Sequence, residues 1–183
     1  MCSSDLKKDL LLPWRTVLDN VVLGMEIQGT PMKAARELAL PLLQKYGLAG
    51  FEHLYPNSLS GGMRQRAALL RTLLFDTDAI LLDEPFGALD AQTKMQMQEW
   101  LMQLWSDFKK TVVFVTHDVD EAIYLSDEIH VMGTRPGRVV ETIAVELSRP
   151  RLRTASLTPE FIAIKERCLN LLTTYAQTVD EAA

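Results

Sequence analysis

The chain has 183 residues, of which 48% are hydrophobic and 23% charged, and this composition is that of a globular protein with one ordinary core rather than a disordered or fibrous one. Its formal net charge of −5 gives no overall attraction to nucleic acid. The cysteines, Cys2 and Cys168, lie at opposite ends and indicate neither a disulfide framework nor a zinc site, and no apolar run reaches the roughly 18 residues of a membrane span.

The first part of the chain is predicted to be mainly helical. After residues 1–9, a start that need not be native, helical patterns dominate from about 16 to 58, with a loop at 53–58. Thr30-Pro31 fits an N-cap followed by proline at the first helical position, and Gly47 suits the end of that helix. Pro41 lies inside it, so we expect the helix to be kinked or split there.

A strand–helix–strand unit is predicted next. From Gly61 apolar residues recur at helical spacing until the turn at 76–78, which indicates an amphipathic helix. Two continuous apolar runs, 79–82 and 111–115, fit parallel strands buried on both faces. A helical apolar stripe over 97–108 connects them, and the crossover should be right-handed.

Shorter elements are predicted beyond the second strand. A helix near 119–125 leads to a third strand at 128–132, and a Pro-Gly turn leads into a further stretch at 138–143. A helical tail follows Pro150 and is best supported from Pro159 to Tyr175.

Two acidic residues, Asp83 and Glu84, end the first strand. A charge leaving an apolar strand must be hydrated, paired or bound to metal. In P-loop ATPases the first acid of such a pair holds Mg²⁺ and the second can polarise the attacking water. The alternative is an incidental acidic pair in a strand-ending turn before Pro85, and these two residues alone do not decide between the two interpretations.

A hydroxyl and two glycines, Ser60, Gly61 and Gly62, stand just ahead of a helix. Backbone N–H groups at a helix N-terminus bind anions, and glycine allows a phosphate to approach the chain closely. By itself the triplet is more often a plain N-cap. Its position ahead of the acidic pair favours phosphate binding.

Four segments occur in the order of the motifs of ABC ATPases. Leu59 to Arg66 resembles the signature motif, Ala79 to Glu84 the Walker B strand, Gly87 to Asp90 the D-loop, and His117 the switch histidine. The sequences Asp-Glu-Pro-Phe-Gly-Ala-Leu-Asp and Thr-His-Asp-Val-Asp-Glu-Ala are similar to those of the ATP-binding subunits of nitrate, sulfonate, taurine and pyrimidine-precursor importers. The resemblance runs from about residue 10 to at least residue 141.

The resemblance implies an α/β fold. This would be a partial RecA-like P-loop NTPase core with a mostly parallel sheet, an α-helical ABC subdomain and a C-terminal helical tail. The implied segments are 10–75 with the Q-loop remnant, helical subdomain and signature motif, 76–148 as the core half, and 149–183 as the tail. The implied activity is ATP hydrolysis, with ATP and Mg²⁺ as cofactors, in the energy-coupling subunit of an importer for a small solute.

The resemblance also implies residue roles in a homodimer, in which ATP held by one subunit is covered by the signature motif of the other. Glu84 would be the general base or water-orienting group, His117 would contact the γ-phosphate, and Asp83 would support Mg²⁺. Asp90 would couple the two sites. The implied nucleotide contacts are Ser60, Gly61, Gly62, Gln65 and Asp90.

The implied partners are a transmembrane permease, a second copy of the subunit and, indirectly, a periplasmic or lipoprotein solute-binding protein, at the cytoplasmic face of the plasma membrane. We expect the permease's coupling helix to dock on Leu10 to Trp14 and the helical segment up to about Ser58. The alternative is that Leu11, Leu12 and Trp14 are ordinary core, because short apolar clusters are usually buried.

The Walker A pattern, two glycines flanking four residues and followed by Lys and Ser or Thr, does not occur. Gly24 to Gly29 has the glycine spacing, but Thr30-Pro31 follows where Lys and Ser or Thr are required. The resemblance places Walker A ahead of Leu10 and the Q-loop glutamine near Lys7. We therefore expect a chain that starts after the P-loop, lacks an intact Q-loop, exposes apolar faces of its sheet and does not hydrolyse ATP by itself.

Two other functional classes stay open. A chromosome-maintenance or DNA-repair ATPase head also pairs a signature motif with a Walker B strand, but long heptad repeats precede such heads and none is visible here. A non-catalytic fragment could instead engage a permease or cap an intact subunit, and an ATPase assay with a full-length subunit present would discriminate it. The transported solute is not identified, because solute specificity in this family resides in the permease and the binding protein.

Overall fold

The computed structural model describes residues 10–75, 77–133 and 136–180, with side chains up to residue 175. The predicted start at 1–9, including Lys7, lies outside these residues. The chain divides into two compact units, 1–113 and 114–183. No helix among the described residues is long and apolar enough to cross a membrane. The α/β class implied by the resemblance is confirmed, whereas the three-segment division at residues 75 and 148 stays a prediction.

The first unit opens with helices α1 (Val17–Val21), α2 (Leu23–Ile27) and α3 (Met32–Lys45). The mainly helical character is thus confirmed, and Gly47, with φ +77°, lies just past α3, as predicted. The predicted start of α3 is wrong by one residue, since Pro31 rather than Thr30 is its N-cap. Helix α3 is not split at Pro41, so that alternative of the prediction is wrong, whereas a kink there stays a prediction. A proline removes one backbone donor, while the buried residues Ala39 and Leu43 on either side of it keep this face of α3 packed.

The predicted amphipathic helix is α4 (Gly61–Leu73). The strand–helix–strand unit follows it as β1 (Ala79–Asp83), α5 (Ala91–Phe108) and β2 (Thr111–Val115), with β1 and β2 paired in a parallel sheet. Burial of β1 on both faces is a wrong prediction. Ile80 and Leu82 face a small apolar cavity shared with α4 and α5, but Leu81 points the other way and is 68% exposed. The expectation of an exposed apolar sheet face is confirmed, because successive strand residues alternate sides and α4 and α5 cover only one of them.

Helices α3 and α5 are joined by a buried aromatic contact. Tyr46, at the end of α3, packs edge-on against Trp100 with ring centroids 5.7 Å apart. Its hydroxyl donates to Asp107 at 2.5 Å, and Trp100 Nε1 donates to the Tyr46 carbonyl at 3.3 Å. Hydrogen bonds from Lys45 and Tyr46 lower the pKa of Asp107, so the acceptor stays ionised at neutral pH.

The second unit contains α6 (Val119–Leu125), β3 (Glu128–Gly133), β4 (Arg138–Ala144) and α7 (Pro159–Asp180), close to the predicted ranges. Strands β3 and β4 pair antiparallel, with a bulge between Val131 and Met132. One face of this hairpin packs on α7, where Phe161 and Cys168 are 2% exposed. The predicted helical tail is therefore part of the core of this unit.

A buried arginine, Arg151, ties the end of α6 to the segment after β4. Its side chain is 1% exposed, and its guanidinium donates to the backbone carbonyls of Ile123 at 3.0 Å and Ser126 at 2.6 Å. The other side of the guanidinium donates to Val145 and Leu147, each at 3.3 Å. Burial lowers the pKa of this guanidinium from its ordinary value. The carbonyls nevertheless satisfy its donors, so the charge can stay buried.

Replacing Arg151 by Ala is expected to lower the free energy of unfolding by about 3–5 kcal/mol, because it leaves several buried carbonyls without donors. Urea unfolding of the chain measures this change. The matched control is Arg138→Ala on β4, where the side chain is exposed, and we expect it to stay within about 0.5 kcal/mol of the parent. Equal losses for both variants would contradict the structural role of Arg151.

Candidate functional site

A cleft of about 520 Å³ opens in the first unit, between the start of α4 and the segment that leads into α5. It is lined by four of the residues that the resemblance marks as nucleotide contacts or as the coupling residue, namely Ser60, Gly61, Gly62 and Asp90. The cleft is also lined by Arg66 and Thr93, which had no assigned role. Arg66 supplies a positive charge, and its Nε has no hydrogen-bond partner among the described residues.

The start of α4 has the geometry of an anion site. Ser60 is the N-cap, and its Oγ accepts from Met63 N at 3.3 Å, as the pattern predicts. This uses one acceptor position of the hydroxyl and leaves its hydrogen able to donate to a phosphate oxygen. Gly62 has a packing reason to be glycine, because an added Cβ would lie 3.2 Å from Thr93 Cγ2.

Asp90 is fixed as the N-cap of α5. Its Oδ1 accepts from Gln92 N at 3.1 Å and Thr93 N at 3.0 Å, and its Oδ2 accepts from Thr93 Oγ1 at 2.6 Å. The Thr93 hydroxyl is the main cause of a lowered pKa at Asp90. The stabilisation from this ionised cap is therefore present above the ordinary pKa of Asp and is lost as pH falls through the lower, folded-state value. The spacing of Asp90 and Thr93, the N-cap and N3 positions, could have indicated this pair.

Asp83 is the last residue of β1 and Glu84 follows it, ahead of Asp90 and the rest of the segment that lines the cleft. Asp83 is exposed, and Glu84 is half-buried. Glu84 has φ +41°, in the left-handed region that non-glycine residues rarely adopt, and such strain concentrates at functional sites. The turn after it is closed by Gly87 N, which donates to Glu84 O at 3.2 Å.

Gln65 connects α4 to the Glu84 turn. Its Nε2 donates to the carbonyl of Pro85 at 2.8 Å, across 20 residues of sequence. Gln65 was grouped with the nucleotide contacts by resemblance, and that role stays a prediction. The structure places its amide donor on the residue directly after Glu84.

His117 lies in the second unit, whereas the other seven predicted site residues lie in the first. It is exposed and directly precedes Asp118, the N-cap of α6, whose Oδ1 accepts from Asp120 N at 2.9 Å. Thr116 Oγ1, on the other side of His117, donates to Glu121 at 2.6 Å. Both neighbours of His117 are thus anchored to the start of α6.

Within the described residues, no group of three or more His, Cys, Asp and Glu side chains could hold a metal ion. Mg²⁺ usually keeps several waters and binds proteins through one or two carboxylates together with substrate phosphates. The exposed Asp83 carboxylate fits this mode, in which phosphates and water supply the remaining ligands.

Comparisons with known proteins agree with these motifs. The family model described as ABC transporter matches residues 3–87. The chain is 50% identical over 162 residues to the ABC transporter ATP-binding protein MJ0412 of Methanocaldococcus jannaschii, covering 88% of this chain and 60% of that protein. It is 44% identical over 164 residues to the taurine import ATP-binding protein TauB of Yersinia pestis, covering 87% of this chain and 64% of that protein.

A further relative is the formylaminopyrimidine import ATP-binding protein ThiZ of Halalkalibacterium halodurans, 49% identical over 130 residues, with coverage of 71% and 52%. A solved dimeric structure of the ATP-binding cassette MJ0796 bound to ADP and Pi is 31% identical, with a TM-score of 0.59 and coverage of 78% of this chain and 62% of that one. The chain spans 60% of the length of MJ0412 and 64% of the length of TauB. Over most of its length the chain is therefore similar to ABC transporter ATP-binding proteins.

Proposed function

We propose that this chain is part of the ATP-hydrolysing, energy-coupling subunit of an ABC importer for a small solute such as nitrate, a sulfonate, taurine or a pyrimidine precursor. The observation that carries the proposal is the cleft in which Ser60, Gly61, Gly62 and Asp90 line one space. Similarity to taurine and formylaminopyrimidine import proteins supports an importer over a DNA-repair or chromosome-maintenance head.

In the proposed mechanism the start of α4 receives the γ-phosphate of ATP held by a second copy of the subunit. The first residues of α4, Gly61 and Gly62, line the cleft at the positive end of the helix, the glycines allow close approach, and Arg66 adds a positive charge to the same space. The dimeric state of the cassette MJ0796 supports a two-copy assembly. Phosphoryl transfer depends mainly on such positioning and charge stabilisation.

The chemical roles proposed for the carboxylates follow from their places on β1. Glu84 would orient or deprotonate the attacking water, and Asp83 would hold Mg²⁺ directly or through water. Bound Mg²⁺ would neutralise charge developing on the phosphates. His117 would contact the γ-phosphate of the nucleotide. Because no Walker A pattern occurs in the 183 residues, we infer that the chain by itself does not hydrolyse ATP.

Attachment to the membrane would go through a permease at its cytoplasmic face, with the solute-binding protein reached indirectly. In the segment 10–14, Leu11 is 7% exposed and fits the interpretation as ordinary core. Trp14 is 71% exposed and fits the interpretation as a docking surface for the permease. Asn20, itself fully buried, accepts from Leu12 N at 2.7 Å and donates to Leu12 O at 3.0 Å. A large aromatic side chain on a turn held this firmly is suited to bind a partner.

The alternative function is a non-catalytic permease-binding fragment. The lack of a Walker A pattern in the 183 residues supports this alternative, because docking through the exposed Trp14 would need neither Walker A nor turnover. Both functions share the docking surface and differ only in whether ATP is hydrolysed in the assembly.

The role of Glu84 is testable in a completed subunit, in which a segment with the Walker A pattern precedes residue 10. Glu84→Gln should slow ATP turnover about 10²-fold or more, because the amide keeps the shape but takes no proton. ATP binding should survive, so the ATP-bound dimer accumulates. Ser60→Arg should block dimer closure while leaving binding within its own subunit intact. Near-normal turnover in Glu84→Gln would reject the catalytic role, and the present chain should show no turnover above its own Glu84→Gln variant.

The docking role of Trp14 is testable by Trp14→Ala. Binding to the permease, measured by crosslinking from position 14 and by co-purification from membranes, should weaken about tenfold or more, as for an aromatic interface anchor. The free energy of unfolding should change by less than about 0.5 kcal/mol, because the ring is mostly in solvent. The matched control is Leu157→Ala, which removes a side chain that is 78% exposed in the second unit and should leave permease binding unchanged. Loss of stability with normal binding would assign Trp14 to the core instead.

A further inference from the structure

We propose that Gln65 is a positioning residue that links the phosphate-binding end of α4 to Glu84 of the same subunit. This inference rests on the proposed function, in which Glu84 acts on the water that attacks ATP. Gln65 would then not be a nucleotide contact. Its amide would instead make the position of the Glu84 turn depend on whether a phosphate is bound in the cleft.

The first observation is the hydrogen bond itself. Gln65 Nε2 donates to Pro85 O at 2.8 Å, and the Gln65 side chain is half-buried, so the bond is partly shielded from water. Pro85 is the residue that follows Glu84, and its carbonyl orientation is set by the same turn. A donor fixed on α4 therefore restrains the backbone immediately after the glutamate.

The second observation is the backbone of Glu84. A non-glycine residue with φ +41° persists only where its surroundings hold it there. Restraints around it include the Gly87 N bond to Glu84 O at 3.2 Å, the burial of Phe86 at 1% exposure, and the Gln65 bond to Pro85. The Gln65 bond is a side-chain hydrogen bond that comes from a different element, α4. Its removal should let Glu84 relax out of the left-handed region.

The third observation is the place of Gln65 on its helix. Gly61, which lines the cleft, lies four residues before Gln65, so both residues lie on the same face of α4, one turn apart. A helix transmits a small displacement along its axis without deforming much. A phosphate drawn against Ser60 and Gly61 would therefore shift or fix the Gln65 amide, and with it the turn that carries Glu84.

In the dimer, the hydrogen bond from Gln65 to Pro85 would lie between two different nucleotide sites. The phosphate at the start of α4 belongs to the nucleotide held by the second copy, whereas Glu84 serves the nucleotide of its own subunit. Gln65 would thus connect the two nucleotide sites within one subunit. Such coupling must be reciprocal, so the state of Glu84 would also alter the affinity of the cleft for phosphate.

The test begins with the chain as it is, using hydrogen exchange of the Gly87 amide. Gln65→Glu has nearly the same shape but turns an oxygen instead of a donor toward Pro85 O, and should speed exchange at Gly87 about tenfold or more, the effect of losing one well-made hydrogen bond. Gln65→Lys keeps a donor and should restore much of the protection. The matched control, Gln44→Glu on the exposed face of α3, should leave exchange at Gly87 unchanged.

Turnover in the completed subunit supplies the second readout. Gln65→Glu should lower kcat about tenfold or more with little change in KM for ATP, as expected when a catalytic group is displaced, and Gln65→Lys should recover part of it. Adding Gln65→Glu to Glu84→Gln should slow turnover no further, because Gln65 acts through Glu84.

The outcomes separate the two proposals. Normal turnover in Glu84→Gln would overturn the proposed function, and the inference with it. Slow turnover in Glu84→Gln combined with normal kcat in Gln65→Glu would overturn the inference alone. Equal slowing by Gln65→Glu in the presence and absence of the Glu84 carboxylate would show that Gln65 has only a structural role, which also overturns it.

Discussion

Glu84 adopts a left-handed backbone conformation that non-glycine residues disfavour, and the contacts around it hold it there. Buried Phe86 anchors the turn, Gly87 closes it, and Gln65 reaches it from α4. Strain of this kind is maintained only where the neighbouring packing is more favourable than relaxation. The packing of α4 and α5 on one face of β1 provides that support, because it fixes the strand end from which the acidic pair emerges.

The same packing builds the proposed phosphate site. Gly62 lets α4 approach Thr93, and Thr93 in turn holds the carboxylate of Asp90 on α5. The two helix starts that line the cleft are therefore positioned by each other rather than by flexible loops. Sites built on helices in contact keep their geometry more accurately than sites built on loops. In the proposed function this rigidity would let a phosphate bound by one subunit be sensed in the turn that carries Glu84.

Much of this fold could be predicted from the sequence, because its signals are local. Ser60 as an N-cap, the strand ending at Asp83 and the helix after Asp118 all follow from short-range capping chemistry and apolar runs. Features that depend on distant partners could not be predicted. An exposed apolar sheet face could be expected, but that it is the face carrying Leu81 depends on which side the helices cover. The burial of Arg151 depends on carbonyls brought together from α6 and the segment after β4. Likewise, nothing in the sequence of α4 shows that Gln65 meets Pro85.

In the proposed function, the start of α4 contacts the phosphate of a nucleotide held by another copy of the subunit. The most direct measurement is the structure of the completed subunit dimer with ATP bound. We expect the γ-phosphate within hydrogen-bond distance of Ser60 Oγ, about 2.7–3.2 Å, with that nucleotide's remaining contacts on the other copy. A γ-phosphate remote from Ser60, or one held at Ser60 by the same copy that binds the rest of the nucleotide, would contradict it.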